Sequence, residues 1–187
     1  MMKKKILSLV VVAILVIGVI SAMAQKQASN NKTKDTMLSL PHKVENVELI
    51  GLDGKVTTLP YYGEKHILVF YVDPDKHRQN EDFIMEMEEK KFAAGDNIEG
   101  FGIINLKDTM FPNAIVRMLA RKRTEKNKAT IITDEDNIIA KKWGLGDCNN
   151  MFVLMLVSRE GELVFCCKGE FSEQDKADFI RIVADYR

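Results

Sequence analysis

Cysteine is nearly absent from this 187-residue chain, with Cys148, Cys166 and Cys167 the only three. An odd, small number of thiols closes at most one intramolecular bridge, which excludes a disulfide-stapled scaffold. No two of them are spaced Cys-x-x-Cys, so the local dithiol motif of a redox enzyme is missing. Glycine-rich phosphate loops and serine nucleophile elbows are missing as well from the stretch where they would matter most, the turn after the strongest apolar run. Charge of one sign is also lacking: 27 basic residues stand against 27 acidic ones, and nothing in that balance asks for nucleic acid. No internal repeat is evident.

The chain is organised around an unbroken apolar run, Ile67-Leu68-Val69-Phe70-Tyr71-Val72. Short, β-branched, aromatic and without polar alternation, it reads as a parallel strand buried on both faces. The turn Asp73-Pro74-Asp75-Lys76-His77-Arg78-Gln79-Asn80 follows, and then a helical segment with Phe83, Ile84, Met87 and Phe92 at helical spacing, Asn80 as expected N-cap and Gly95 as expected stop. In open α/β sheets such a turn borders the crevice where functional groups collect.

The first segment reads as an export signal. Lys3, Lys4 and Lys5 form a positive n-region, Ile6 to Ile20 an apolar stretch of 15 residues, and Ala22-Met23-Ala24 a small-x-small cleavage site before Gln25. Counted through Ala24 the apolar stretch reaches 19 residues, close to the ~20 of a spanning helix, so an uncleaved anchor is the alternative. Cleavage is favoured because the Ala-x-Ala pattern sits where a peptidase needs it. Residues 1–24 are thus a signal peptide, 25–37 a polar disordered spacer, and 38–187 one folded domain. The mature chain keeps 24 basic residues against 27 acidic, a net charge of −3.

Along the domain, Val44 to Ile50 suits an edge strand, Gly51 to Gly54 a turn, and Lys55 to Leu59 a returning strand. Strands are expected over Ile98 to Leu106, Ala129 to Thr133, Met151 to Val157 and Leu163 to Cys167. Helices are expected from Pro112 to about Arg123, from Asp136 to Trp143 and from Phe171 to Tyr186. The order is a β-hairpin, three β-α units, an antiparallel hairpin at Arg159 to Glu162, and a closing helix. It resembles the thioredoxin fold: a mixed sheet with flanking helices, preceded by an N-terminal hairpin. Thioredoxins place Cys-x-x-Cys on the turn after the central strand, where this chain has Lys76-His77-Arg78-Gln79, and a cis-proline before the hairpin strand, where it has Asn149-Asn150-Met151.

The chain is also similar to the YtfJ family of small periplasmic thioredoxin-like proteins. That likeness rests on the leader and strand pair, Asn80 closing the first turn, Gly102 to Asp108 as an apolar strand ending in Asn105 and Asp108, and Thr133-Asp134 before Asp136-Asn137. It spans the mature domain and implies a periplasmic location, with no catalytic residues to carry over.

Three groups of residues carry possible chemistry. Asp73, Asp75 and His77 lie within five positions and could supply a metal or acid/base site, although helix capping by Asp and Asn with a solvated His77 is the favoured reading. Cys148, in the polar loop Gly144 to Asn150, could act as a single reactive thiol, but its neighbour Asp147 disfavours a thiolate. Cys166 and Cys167 alternate faces of one strand, which makes at least one a small core residue. With the register set by the Arg159 to Glu162 turn they face approximately Leu154 and Val153. That puts them roughly 15 to 20 Å from Cys148 along an extended segment, against the ~7 Å between Cα atoms that a disulfide allows. Arg117, Arg121, Lys122, Arg123, Lys126 and Lys128 form a basic run suited to an anionic partner or a phospholipid surface. With Ile115, Val116, Met118 and Leu119 as the inward stripe, Arg117, Arg121 and Thr124 form an opposite, solvated face.

The residues favour an exported, non-catalytic binding or accessory protein of the cell envelope, with an envelope protein or small ligand as partner, no cofactor, no nucleic acid and no stable membrane insertion once the leader is removed. A single-cysteine thiol oxidoreductase or peroxidase using Cys148, and a metal or acid/base enzyme using Asp73, Asp75 and His77, are the rivals. N-terminal sequencing of the protein recovered from the envelope fraction is expected to begin at Gln25; an intact Met1 in a membrane pellet means an anchor instead.

Overall fold

A computed structural model describes residues 39–107, 109, 112–127 and 129–187. The leader and spacer expected over residues 1–37 lie outside the described residues. Among those that are described, no helix is long and apolar enough to cross a membrane.

The strands are β1 (His42–Lys43), β2 (Glu48–Gly51), β3 (Val56–Thr58), β4 (His66–Val72), β5 (Ile98–Asn105), β6 (Ile131–Asp134), β7 (Phe152–Val157) and β8 (Glu162–Lys168). The helices are α1 (Glu81–Lys90), α2 (Asn113–Asn127), α3 (Ile138–Lys142) and α4 (Glu173–Val183), with a 3-10 turn at Pro74–Lys76. All eight strands form one sheet in the order β1-β8-β7-β4-β5-β6-β2-β3. The run Ile67 to Val72 lies inside β4, parallel to β5 on one side and antiparallel to β7 on the other. Both of its faces are covered, as a run without polar alternation requires. Leu68, Phe70 and Val72 pack with Phe83, Ile84 and Met87 of α1, Val116 and Ala120 of α2, and Phe179 and Val183 of α4. Ile67, Val69 and Tyr71 pack on the other face with Ile139 of α3, Trp143, Val44 and Val47.

Of the edge strand expected over Val44 to Ile50, only residues 48–50 pair, within β2, while β1 precedes it at the opposite edge of the sheet. β1 pairs with β8 and β2 with β6, so residues 44–47 cross one face of the sheet as a strap. Burial drives this, because Val44 and Val47 are core residues. Hydrogen bonds hold it: Trp143 Nε1 donates to Glu45 O at 2.9 Å, and Tyr62 Oη donates to Val44 O at 2.5 Å.

Three further expectations change. Helix α1 stops before Gly95, at Lys91, which takes a left-handed conformation (φ 56°) and donates its N–H to Glu88 O. The β7–β8 register differs by one residue from the expected one. Cys166 faces Met155 and Cys167 faces Leu154, because a bulge at Val164 sets Val157 opposite Leu163 and Leu156 opposite Phe165. Helix α2 is rotated. Val116, Ala120 and Thr124 are buried while Ile115 and Met118 are 44% and 47% exposed. The small residues at positions i, i+4 and i+8 let α2 approach the sheet, and Thr124 Oγ1 is satisfied by Arg121 O at 3.1 Å. Arg117 pairs with Glu135, and Arg121 donates to Leu52 O. The face expected to meet solvent is therefore tied to the body of the protein.

Leu68 is fully buried in the larger cluster. Leu68→Ala is expected to cost about 2 to 5 kcal/mol, a large share of a total stability of roughly 5 to 15. Denaturant unfolding checks this, and a loss under about 1 kcal/mol would place Leu68 outside the core.

Candidate functional site at the carboxyl end of the sheet

The parallel strands β4, β5 and β6 end side by side, and each ends on a polar group: Asp73 just after β4, Asn105 at the end of β5 and Asp134 at the end of β6. The loop 144–151 covers them. Asp134 is fully buried and does what an N-cap does for α3, accepting from Ile138 N at 2.8 Å and Ile139 N at 2.9 Å. Tyr71 Oη donates toward Asp134 Oδ2 and Asn137 Oδ1, both at 3.3 Å. Asn137 Nδ2 reaches Asn149 Oδ1 at 3.3 Å, and Asn105 Nδ2 reaches the same oxygen at 3.2 Å. Burial and the Asp134 carboxylate push the Tyr71 phenol far above its ordinary range, so it stays a neutral donor. This chain of side chains was not picked out as a site from the sequence. Its signal is the polar residue closing each of three successive apolar runs.

The turn after β4 is tied to the same region by side chains that reach far along the chain. Asp73 accepts from Asp75 N at 2.9 Å and, with its other oxygen, from Asn150 N at 3.0 Å. Gln79 Oε1 accepts from Phe152 N at 2.9 Å. Asn80 does not cap α1. It has a left-handed backbone (φ 67°), makes no side-chain cap bond, and instead donates to Gly169 O at 2.8 Å and accepts from Phe171 N at 2.8 Å. Asn137 (φ 55°) and Asn150 (φ 52°) are also left-handed, a conformation asparagine tolerates better than most residues.

The expected trio at this turn does not converge. Asp75 is exposed, whereas Asp73 and His77 are buried. His77 Nδ1 meets Pro74 O at 2.9 Å, which makes it the protonated nitrogen and leaves Nε2 as a buried acceptor with no hydrogen-bond partner. The solvated His77 of the capping alternative is thus corrected, while the capping role of Asp73 holds. Among the described residues no group of three or more His, Cys, Asp and Glu side chains is arranged to hold a metal ion.

Cys148 is not exposed in a polar loop. It is 1% exposed and packs in the core cluster under β4, while its carbonyl accepts from Asn105 Nδ2 at 3.4 Å. Glycines at 144 and 146 with positive φ let the loop fold back and bring the thiol inside. Cys167 packs on one face of β8 and Cys166 on the other, and the three sulfurs form no disulfide. Burial pushes the Cys166 thiol up to about 11. Burial and the neighbouring Asp175 carboxylate push Cys167 up to about 12. Neither is a thiolate at neutral pH.

Solved structures share this arrangement of strands and helices. The exposed lipoprotein thioredoxin Etrx1 of Streptococcus pneumoniae superposes with a TM-score of 0.52 and 17% identity, over 75% of this chain and 99% of that one. A candidate protein disulfide isomerase from Bacteroides thetaiotaomicron gives 0.56 and 17%, over 80% and 91%. The chain has a thioredoxin-like fold. A DsbF homologue from Corynebacterium diphtheriae adds 0.55 and 15%, over 85% and 99%. At these identities the likeness is one of fold alone. No family model matches the sequence, and no curated protein matches it. Within the thioredoxin-like frame, the turn after β4 corresponds to the expected position of the dithiol. The cis peptide among the described residues is Leu40–Pro41, in the N-terminal segment rather than before β7.

Burial raises the Asp73 carboxyl above its ordinary 3.8, with the two N–H bonds opposing the shift. A carboxyl whose folded value is raised binds its proton more tightly folded than unfolded. Its contribution to stability is therefore greatest below pH 3.8 and is lost as pH rises through the folded value. Asp73→Asn keeps one acceptor and leaves one part-buried N–H without its partner, so it is expected to cost about 0.5 to 1.5 kcal/mol in acid. The difference from the parent should narrow as pH rises from about 4, because the variant has no carboxylate to ionise. Denaturant titrations across that range check the slope, and a gap that widens with pH would reverse the assignment.

Proposed function

We propose that this protein is an exported, thioredoxin-fold binding or accessory module of the cell envelope, periplasmic and akin to the YtfJ family, without dithiol chemistry. The observation that carries the reading is the use made of the turn after β4. One oxygen of Asp73, the carbonyl oxygen of Gln79 and both ends of the Asn80 amide are engaged with backbone groups of the segments around Asn150, Phe152, Gly169 and Phe171, while the other Asp73 oxygen accepts from Asp75 N within the turn. A turn whose Asp73, Gln79 and Asn80 side chains join those segments acts as a structural clamp, and those side-chain atoms are occupied in holding the fold. The thiols support the same reading, because a mixed disulfide needs a thiolate to form and a second thiol within reach to resolve it. Cys166 and Cys167 are held as thiols by burial, and Cys148 lies inside the core. The leader-like first segment supports an envelope location, and the pneumococcal structure of the same fold is described as an exposed lipoprotein.

Insulin reduction in the presence of dithiothreitol tests the absence of thiol chemistry. The protein is expected to match its triple variant Cys148→Ser, Cys166→Ser, Cys167→Ser, neither exceeding the rate with reductant alone. Turnover by the parent that the variant lacks would replace the accessory reading with a single-cysteine oxidoreductase. Co-purification from the native envelope then identifies the partner.

A further inference from the structure

The rotation of α2 leaves a surface that the packing of the protein does not use. Ile115 and Met118 lie one turn apart on the outer side of the helix, each close to half exposed, and Lys122 continues the same face one turn further on. Arg121 beside it is also exposed, with its guanidinium on Leu52 O. The charge of this stretch of sequence contrasts with that of the rest of the chain. Residues 113–128 include six basic residues and one acidic, a net +5, whereas the rest of residues 39–187 has 15 basic and 25 acidic, a net −10. A basic helix on an acidic body makes a strong dipole, which orients the molecule in the field of any extended anionic surface.

We propose that the outer face of α2 docks on an anionic phospholipid surface, with Ile115 and Met118 entering the headgroup region and Lys122 meeting the lipid phosphates. Two features together select this partner. A soluble polyanion satisfies the positive charge but gives Ile115 and Met118 nowhere to go. A bilayer offers both, with anionic headgroups at its surface and apolar chains about 5 to 10 Å beneath. Two exposed apolar residues are too few to insert stably, so the contact is peripheral and salt-sensitive, held mainly by charge. It requires neither the thiols nor the turn after β4.

Hydrogen exchange read by mass spectrometry on the full chain tests this at the helix itself, whatever the first segment does. The comparison is between vesicles of phosphatidylcholine and vesicles of phosphatidylcholine with phosphatidylglycerol. Amides of 113–127 are expected to gain protection only with the anionic vesicles at about 0.1 M salt, and to lose it near 1 M, where the screening length falls to about 3 Å. Each unit of charge contributes roughly fivefold, so Lys122→Glu should weaken the protective vesicle interaction about twenty-five-fold. The pair Ile115→Ser with Met118→Ser should weaken it about tenfold or more. Both variants alter exposed side chains, and an unchanged unfolding midpoint confirms that they fold. Absent or charge-independent protection overturns the proposal. So does protection that persists in the Ile115 and Met118 variant, or that polyglutamate reproduces in full, which would identify an acidic macromolecule instead.

Discussion

The structure depends on a strand that has no solvent side. With Ile67 to Val72 buried from both directions, the buried Asp73 carboxylate at the carboxyl end of β4 needs partners inside the protein. That requirement explains the local design. Asp73 serves two backbone N–H groups, one local and one 77 residues away. Gln79 and Asn80 then tie the same turn to the start of β7 and to the link between β8 and α4. The clamp joins the parallel half of the sheet to its antiparallel half at the point where two strands of opposite direction meet.

The second polar network serves the neighbouring strand ends. Asp134 takes over the cap of a five-residue helix whose own N-cap residue, Asn137, makes no side-chain cap bond. Tyr71, Asn105 and Asn149 connect that cap to the loop that buries Cys148. Burying Cys148 follows from this loop geometry: once Asn149 bridges Asn105 and Asn137, the preceding residue points into the core. The carboxyl ends of β5 and β6 are thus joined to the loop 144–151 by amide and carboxylate pairs.

Helix α2 carries the complementary lesson about surfaces. Its apolar and small residues offer two stripes, one through Ile115, Met118 and Leu119 and one through Val116, Ala120 and Thr124. Packing selects the second because small side chains let the helix sit close to β5 and β6, while Arg117 and Arg121 anchor its flank on Glu135 and Leu52. The larger apolar residues are then left outside, beside the strongest concentration of positive charge in the chain.

What the sequence by itself determined is the strand run at β4, the order of strands and helices, the thioredoxin-like architecture and the missing dithiol. These are written in short-range terms: an apolar run without alternation, helical spacing of Phe83, Ile84 and Met87, a hairpin turn at Arg159 to Glu162. Candidate sites were legible only as residue types in a turn. Tertiary structure alone decided that Asp73 caps the turn after β4, that Asn80 reaches across the fold, that Cys148 is inside, that residues 44–47 cross the sheet, and which stripe of α2 is buried. The reason is physical. Periodicity reports how much of an element is buried, but a side chain's hydrogen-bond partner 70 to 90 residues away, or the choice between two apolar stripes of one helix, depends on which surfaces come to lie opposite it.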